Sequence, residues 1–126
     1  MSQRCWTCLS CHFFSFVTND LTQTTLGISR DDFSFRDCYK ENGIFHSDPF
    51  AVLDEEDVGE LMKMAYVRGK SVQKELRAGI WGETGGNPKS IQFVDALGMD
   101  YVSCSPFRIP IARLTAAQAV VKNKKK

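Results

Sequence analysis

Apolar residues are concentrated in three short runs that predict strands. Each run is almost continuously apolar or small, and the three are Phe13–Val17, Ala78–Trp81 and Tyr101–Cys104. Runs of this kind are typical of strands that are buried on both faces of a parallel sheet. We therefore predict three inner strands in one parallel sheet.

Apolar residues at helical spacing predict a helix between the first two strands. Its apolar face is formed by Val58, Leu61, Met62, Ala65 and Tyr66. The acidic run Asp54–Asp57 lies just before it, where a helix dipole favours negative charge. Gly59 is unfavourable in the first turn, since glycine costs about 1 kcal/mol relative to alanine in a helix.

Two further helices are predicted after the second and third strands. One begins at Asn87-Pro88, a capping residue followed by proline, and ends near Gly98. The other runs from about Pro110 to Val121. Residues 27–49 are polar and irregular, with turn signals. The predicted order is β, long connection, α, β, α, β, α.

Strands that alternate with helices imply parallel pairing and right-handed crossovers. The carboxyl ends of all three strands then lie at the same rim of the sheet. The residue groups that follow them are Thr18–Asp20, Gly82–Gly86 and Ser103–Ser105. Barrels and open sheets of α/β enzymes carry their chemistry at this rim, so we expect the three groups to form one site.

Composition limits the classes of function. The 126 residues suffice for one small domain, with 43% hydrophobic and 25% charged residues. A net charge of +1 favours neither nucleic acid nor an acidic partner, and Lys122–Lys126 is interpreted as a solvated tail. No apolar stretch approaches bilayer-spanning length, so no membrane partner is expected. The odd number of cysteines favours an intracellular, reducing setting.

Several ordered blocks within residues 13–121 carry a family resemblance: Phe13–Phe16 with Thr18–Gln23, Ser29–Asp32, Ser47–Phe50, Gly82-Glu83 with Gly85-Gly86, and Tyr101–Leu114. In these blocks the chain resembles the phosphoenolpyruvate-utilising enzymes, and among them the C-terminal part of the pyruvate, phosphate dikinases. The resemblance implies an α/β fold, the last three units of a (β/α)8 barrel that binds phosphoenolpyruvate or pyruvate, incomplete on its own. It also implies a phosphotransferase that interconverts ATP, phosphate and pyruvate with AMP, pyrophosphate and phosphoenolpyruvate.

The resemblance implies roles for four residues after the first strand. Asp20 matches a magnesium ligand, Asn19 an amide that binds phosphate, and Thr18 a neighbour that contacts substrate. Mg²⁺ is therefore the implied cofactor, in keeping with the preference of hard cations for carboxylate oxygens. The alternative is that Asp20 only caps the following helix. Val17 stands where glycine is usual and lines the substrate, so its branched side chain is expected to crowd a ligand.

Trp81 is the largest departure from the family pattern. It stands where the resemblance places a catalytic cysteine, whose thiol protonates the enolate carbon when pyruvate is made. An indole N–H cannot supply that proton, so no catalytic residue is assigned, and the large side chain is expected to fill the pocket. Thr84 replaces a usual histidine in the same loop. Cys104 matches a different cysteine and is interpreted as a structural thiol.

The first twelve residues do not resemble the family. Cys5, Cys8, Cys11 and His12 form a C-x-x-C-x-x-C-H pattern that superficially offers a metal or haem site. No second cluster completes it and no export signal accompanies it, so residues 1–12 are interpreted as an atypical cysteine-rich leader. Residues 13–121 are the expected barrel part and 122–126 a basic tail. Cys38 gives no signal, and His46 is interpreted as a loop residue.

Two hypotheses follow. In the first, the chain contributes part of a dikinase site for phosphoenolpyruvate or pyruvate and is inactive alone. In the second, it is a degenerate, non-catalytic fragment, or it associates with a full-length relative through unclosed barrel edges. The resemblance also implies homodimeric relatives. The sequence leaves open whether the chain is itself an enzyme, and it does not distinguish cytoplasm, plastid and glycosome.

Overall fold

One parallel sheet of three strands organises the protein. The computed structural model describes residues 11–32 and 38–123. The strands are β1 (Phe13–Val17), β2 (Arg77–Trp81) and β3 (Tyr101–Ser103), in the order β1-β2-β3. The parallel pairing predicted from the sequence is confirmed. β2 begins one residue earlier than predicted, and β3 ends one residue before Cys104.

Four helices accompany the strands in the described part of the chain. They are α1 (Thr18–Leu26), α2 (Val58–Val72), α3 (Pro88–Ala96) and α4 (Ile109–Asn123), with 3-10 turns at Glu83–Gly86 and Pro106–Arg108. The three predicted helices are confirmed as α2, α3 and α4. Helix α1 is absent from the predicted order. It follows β1 without an intervening loop and ends at Gly27, whose φ of +65° suits glycine.

The described part of the long connection between α1 and α2 is mostly irregular, as predicted, although residues 38–41 form a helical turn. Its Ser-Asp-Pro-Phe block forms a turn: the Asp48 carboxylate accepts the Phe50 backbone N–H at 2.9 Å. Phe50 and Leu53 beyond it are buried. The connection therefore ends by placing two apolar side chains in the interior before α2 begins.

The core lies between the helices and one face of the sheet. Its buried members come from the strands, the connection and two helices: Phe16, Leu53, Val58, Met62, Ile80 and Val94. Residues two apart on a strand share a face, so Phe14 lies beside Phe16 on this side. Full burial of an aliphatic or aromatic side chain contributes about 1.5–3 kcal/mol. This face of the sheet therefore supplies much of the stability.

The other face of the sheet is open in the described structure. Phe13 and Trp81, which lie on this face, are 59% and 56% exposed. The buried strand residues are Phe16 in β1 and residues 78–80 in β2. The prediction that all three strands are buried on both faces is therefore wrong for β1 and β3, and for β2 it holds only at residues 78–80. The cause is the arrangement of the helices, whose core residues pack on one side of the sheet.

Tyr101 lies across this open face. Its ring stacks on Phe13, with centroids 4.9 Å apart and planes 8° from parallel. Its hydroxyl donates to the Phe14 carbonyl at 2.8 Å and therefore accepts from the Ser15 hydroxyl at 2.5 Å. Gly79 provides the space, because a Cβ there would lie 2.7 Å from the tyrosine ring. The ring bridges all three strands.

Helix α2 packs through a narrower side than its apolar pattern predicts. Val58 and Met62 are fully buried, whereas Leu61 is 42% exposed and Ala65 is also exposed. Gly59, which is unfavourable for the helix alone, permits close packing, since a Cβ there would lie 2.6 Å from the end of the Phe93 ring. The predicted face is therefore only partly buried, because α2 is rotated to bring Gly59 against α3.

Candidate functional site

A cleft lies at the carboxyl ends of the three strands. Its volume is about 600 Å³, and its lining comes from all three strand ends and the segments after them: Asn19, Ala51, Trp81, Gly82, Glu83, Asn87, Ser103, Cys104, Ser105 and Arg108. The prediction that the three residue groups after the strands meet at one rim is confirmed. The lining is mixed, with two amides, three hydroxyl or thiol groups, one carboxylate and one guanidinium.

Two buried threonines fix the backbone beneath this cleft. Thr18 opens α1 and Thr84 lies in the turn after β2, and neither is exposed to solvent. The Thr84 hydroxyl donates to the Thr18 hydroxyl at 2.8 Å, and the Thr18 hydroxyl donates to the Trp81 carbonyl at 3.4 Å. Buried hydroxyls are costly unless they are paired. These hydrogen bonds therefore connect Thr18, directly after β1, to the end of β2 and to the turn that follows it.

Gly82 makes this junction possible. Its φ is +143°, a region that side chains rarely adopt, and a Cβ there would lie 2.4 Å from the Thr18 hydroxyl oxygen. Both the backbone conformation and the close approach therefore require glycine. As a result, Trp81 and Glu83 are held on either side of a fixed turn at the rim.

Asn19 presents an unpaired acceptor in this region. The residue lines the cleft, and its side-chain Oδ1 is buried without a hydrogen-bond partner among the described residues. A buried acceptor without a partner costs about 1–3 kcal/mol. One helical turn away, the buried Thr22 hydroxyl is unpaired in the same sense. A donor from a ligand or from water at Asn19 would remove part of this cost.

Asp20 lies outside the lining of the cleft. It is exposed in the first turn of α1, and its side chain forms no capping bond with the helix. The described residues contain no group of three or more His, Cys, Asp or Glu that could hold a metal ion. Mg²⁺ requires a nearly octahedral set of oxygen ligands. One exposed carboxylate does not complete such a set, so the described residues alone do not fit a magnesium site.

Val17 is half-buried and lies directly before the first residue of α1, at the N-cap position. Its backbone is extended there, and it provides no side-chain cap for the helix. Val17 pairs in register with Trp81, so these two residues are neighbours across β1 and β2.

Trp81 lines the cleft. It is the last residue of β2, and a cleft of about 600 Å³ lies beside its half-exposed side chain. The alternation of the strand places residue 81 on the open face together with Gly79 and opposite to the buried Ile80. That the indole fills the substrate pocket stays a prediction.

Arg108 was not singled out as a site residue from the sequence. It ends the 3-10 turn before α4, and its side chain packs on Gly86, where a Cβ would lie 2.8 Å from the arginine Cγ. The contact holds the aliphatic part of Arg108 and leaves the residue exposed at the cleft. Its position in the long matching block Tyr101–Leu114 was the available signal.

Asn87 and Cys104 complete the description of the lining. The Asn87 side chain accepts backbone N–H groups from Lys89 at 2.9 Å and Ser90 at 3.4 Å, which confirms the predicted cap of α3. The cap leaves this amide engaged with its own helix. Cys104 is a free, half-buried thiol that lines the cleft just after β3.

An exposed ion pair crosses the rim. The Arg30 guanidinium lies 2.8 Å from the Glu83 carboxylate, and the Arg30 backbone N–H donates to the Gln23 side chain at 2.7 Å. Pairs this exposed contribute about 0–1 kcal/mol. The pair links the segment after α1 to the turn after β2, a contact that the polar pattern around Arg30 did not reveal.

The cysteine-rich pattern cannot be assembled from the described residues. Cys5 and Cys8 lie outside them, Cys11 is a free half-buried thiol, and the His12 carbonyl accepts the Arg77 backbone N–H at 3.0 Å. Cys38 and His46 are exposed, the latter in a bend as predicted. Among the helices of the described ranges, none has the length and apolar character that crossing a membrane requires.

Comparison with known proteins agrees with the family resemblance. The model of the PEP-utilising enzyme PEP-binding domain matches residues 7–121. Pyruvate, phosphate dikinase of Rickettsia bellii is 60% identical over 112 residues, which are 88% of this chain and 13% of that protein. The Rhizobium meliloti enzyme of the same name is 58% identical over 89% of the chain and 13% of its own length. The chloroplastic enzyme of Flaveria pringlei is 58% identical over 86% and 12%.

Proposed function

Because this chain belongs to the PEP-utilising enzyme family, we propose that it forms part of the phosphoenolpyruvate or pyruvate site of a pyruvate, phosphate dikinase. The observation that carries the proposal is the cleft where the three parallel strands end, which is lined by an amide, hydroxyl groups and Arg108. Relatives about 60% identical carry that enzyme name, and the chain spans 13% of their length. Their whole reaction is therefore proposed for a larger assembly in which this chain is one part.

The open face of the sheet supports a place in a (β/α)8 barrel. In such a barrel the helices lie outside and alternate side chains of each strand point inward. Phe13, Tyr101 and Trp81 lie on the face without core helices, as inward-facing residues would. We propose that these strands are the last three of the barrel and that further strands adjoin β1 and β3.

The residues at the first strand end have distinct proposed roles. Asn19 donates its side-chain Nδ2–H to the phosphoryl or carboxylate group of the substrate, because the residue lines the cleft, while its unpaired Oδ1 accepts from a separate donor. Thr18 positions the neighbouring Asn19, because its hydroxyl is hydrogen-bonded to Thr84 in the turn after β2 and to the Trp81 carbonyl at the end of β2. Asp20 contributes one carboxylate ligand to Mg²⁺, with the remaining ligands coming from other parts of the barrel. Bound there, the metal would neutralise negative charge on the substrate.

Trp81 limits what these residues can do in the reaction. Protonation of the enolate carbon requires an acid within reach of that carbon, and an indole is not one. This chain is therefore proposed to bind and orient substrate, with the proton step impaired relative to an enzyme that carries a cysteine at this position. No specific observation favours the alternative of a non-catalytic fragment that acts only as an interaction partner.

The proposal is tested by grafting residues 13–121 into the Rickettsia bellii relative in place of its matching segment. We expect the graft to bind phosphoenolpyruvate in the presence of Mg²⁺ by isothermal titration and to turn over poorly. Trp81→Cys in the graft is expected to raise turnover by about 10²-fold or more, the usual contribution of a positioned acid.

Asn19→Ala serves as the binding variant in the same graft and should weaken phosphoenolpyruvate binding. Cys38→Ser serves as the control and should leave turnover unchanged, since Cys38 is exposed and lies outside the cleft lining. A folded graft that binds no phosphoenolpyruvate would contradict the proposed function. Full turnover with Trp81 in place would contradict the assignment of the proton donor. The 126-residue chain alone is expected to show no saturable heat with phosphoenolpyruvate and Mg²⁺.

A further inference from the structure

The charges in the lining of the cleft are unevenly compensated. Two of the lining residues that the structure describes are charged, Glu83 and Arg108. The Glu83 carboxylate lies 2.8 Å from the guanidinium of Arg30, which comes from outside the lining. No carboxylate among the described residues pairs with the Arg108 guanidinium. The described lining therefore has a carboxylate whose charge is balanced and a guanidinium whose charge is not.

Gly86 fixes the stem of the Arg108 side chain. A Cβ on Gly86 would lie 2.8 Å from Cγ, 2.9 Å from Cβ and 3.2 Å from Cδ of Arg108, and these are its three nearest atoms apart from its chain neighbours. Gly86 does not adopt a positive φ, so its backbone conformation alone does not require glycine. The close approach of the arginine stem does. The contact therefore restrains Arg108 beside the cleft that it lines.

The position of Arg108 is electrostatically unfavourable without a ligand. The residue directly precedes α4, at the end of the helix where the macrodipole disfavours a cation. Residues 101–126 contain no acidic residue, so no carboxylate nearby in the sequence offsets this charge. A guanidinium and the first N–H groups of a helix both attract anions. The two features together favour an anionic group in this part of the cleft.

We propose that Arg108 binds the phosphoryl group of phosphoenolpyruvate and thereby makes the cleft select phosphoenolpyruvate over pyruvate. This inference rests on the proposed function of the cleft. A phosphoryl group carries about 1.5–2 negative charges near neutral pH and presents three acceptor oxygens, whereas a carboxylate carries one charge. Uncompensated positive charge from two sources matches the phosphoryl group better, and the flat guanidinium can donate two parallel N–H groups to it.

The two ligands separate this contact from other roles of Arg108. Phosphoenolpyruvate and pyruvate share a carboxylate, and only phosphoenolpyruvate has a phosphoryl group. A residue that binds the carboxylate should affect the affinity for both ligands. A residue that binds the phosphoryl group should affect the affinity for phosphoenolpyruvate alone.

Isothermal titration of the graft of residues 13–121 in the Rickettsia bellii relative tests the inference, with each ligand titrated separately in the presence of Mg²⁺. Arg108→Met keeps a long side chain without charge. We expect it to weaken phosphoenolpyruvate binding about tenfold, the factor that corresponds to about 1.4 kcal/mol, and to leave pyruvate binding unchanged. Arg108→Lys keeps the charge but not the paired N–H groups, so its phosphoenolpyruvate affinity should lie between the two.

Arg68→Met is the matched control. It removes the same charge from an exposed site on α2. Helix α2 leads to the start of β2, whereas the cleft lies where β2 ends, so Arg68 is near the opposite end of the strands. The affinity for both ligands should be unchanged in this variant.

Gly86→Ala tests the contact that positions Arg108. The added methyl group would displace the arginine stem, so phosphoenolpyruvate binding should weaken and pyruvate binding should not. In the Arg108→Met background the same change should cause no further loss of phosphoenolpyruvate affinity, because no guanidinium remains to be displaced. A merely structural role of Gly86 would instead lower this affinity equally in both backgrounds. Circular dichroism and thermal melting establish that each variant is folded.

Three results would overturn the inference. The first is a graft whose phosphoenolpyruvate affinity is unchanged by Arg108→Met, which would leave the proposed function standing. The second is an equal loss of affinity for phosphoenolpyruvate and pyruvate in that variant, which would assign Arg108 to the shared carboxylate. The third is a folded graft that binds no phosphoenolpyruvate, which would overturn the proposed function as well.

Discussion

The two faces of the sheet contain similar residues in very different surroundings. Phe16 and Ile80 on the helix-packed face are almost completely buried, whereas their strand neighbours Phe13 and Trp81 on the open face are more than half exposed. All four belong to the same two strands. The comparison shows that an apolar strand sequence indicates what a strand can bury, while the positions of the helices decide which half of it is buried.

The two faces of the sheet also differ in role: one contributes to the hydrophobic core and the other borders the cleft. The packed face joins the core, and the open face leads directly into the cleft through Trp81. Gly79 and Tyr101 occupy the middle of the open face, where one ring is held by stacking and by two hydrogen bonds. The open face is therefore ordered by a few specific contacts, and the packed face by the combined burial of many side chains.

Ile80→Ala should cause the largest loss of stability. Ile80 is fully buried among core side chains, so the truncation leaves a cavity and should lower the free energy of unfolding by about 2–5 kcal/mol. Urea unfolding followed by circular dichroism measures the effect. A loss below about 1 kcal/mol would mean that the packed face is not the main stabilising face.

Gly79→Ala should cause the second-largest loss of stability, because it adds a methyl group where the open face is most closely packed. The new Cβ would lie 2.2 Å from the Tyr101 carbonyl oxygen as well as against the ring. Overpacking of this kind costs about 1–3 kcal/mol. Since the oxygen belongs to the backbone, adding Tyr101→Ala should not restore the stability. Full rescue by the second change would show that only the ring is in the way.

Tyr101→Phe should have a smaller effect. The change removes the hydroxyl that donates to the Phe14 carbonyl and accepts from Ser15, but it keeps the ring stacked on Phe13. A typical hydrogen bond contributes about 0.5–1.5 kcal/mol, so we expect a loss of that order in urea unfolding. A loss as large as that of Ile80→Ala would contradict the division between the two faces.

Trp81→Ala should have the smallest effect on stability. Its half-exposed indole lies outside the core, and surface substitutions usually change the free energy of unfolding by no more than about 0.5 kcal/mol. The same urea experiment, run beside Ile80→Ala, compares two adjacent residues that point to opposite faces. A loss above about 2 kcal/mol would show that Trp81 contributes to a buried cluster.

The sequence predicted the strands, three helices and the shared rim because each has a local signal. Helix α1 had none, since Thr18–Leu26 is mostly polar and rich in threonine, a residue with modest helix propensity. Its conformation depends on tertiary contacts that sequence periodicity does not reveal, such as the Leu21 side chain against the core and Thr18 against Thr84. Exposure of Leu61 was missed for a related reason: the apolar pattern of α2 does not tell which neighbours cover it.

Within the site, the sequence identified the residues but not how far each one is buried. Thr84 and Trp81 are near neighbours in one loop, yet Thr84 is completely buried and Trp81 is more than half exposed. The positive φ of Gly82 separates them by turning the backbone between β2 and the 3-10 turn. Arg108 was missed because its approach to the cleft depends on Gly86, which is twenty-two positions earlier in the sequence.

The junction of Gly82 with Thr18 has a consequence for how this rim can change over evolutionary time. The backbone at the end of β2 is held by a glycine and two threonine hydroxyls, and none of these contacts uses the side chain of residue 81. A change of the side chain at position 81 therefore meets little structural opposition. The residue that faces the cleft can be exchanged in a single mutational step while the backbone that carries it is retained.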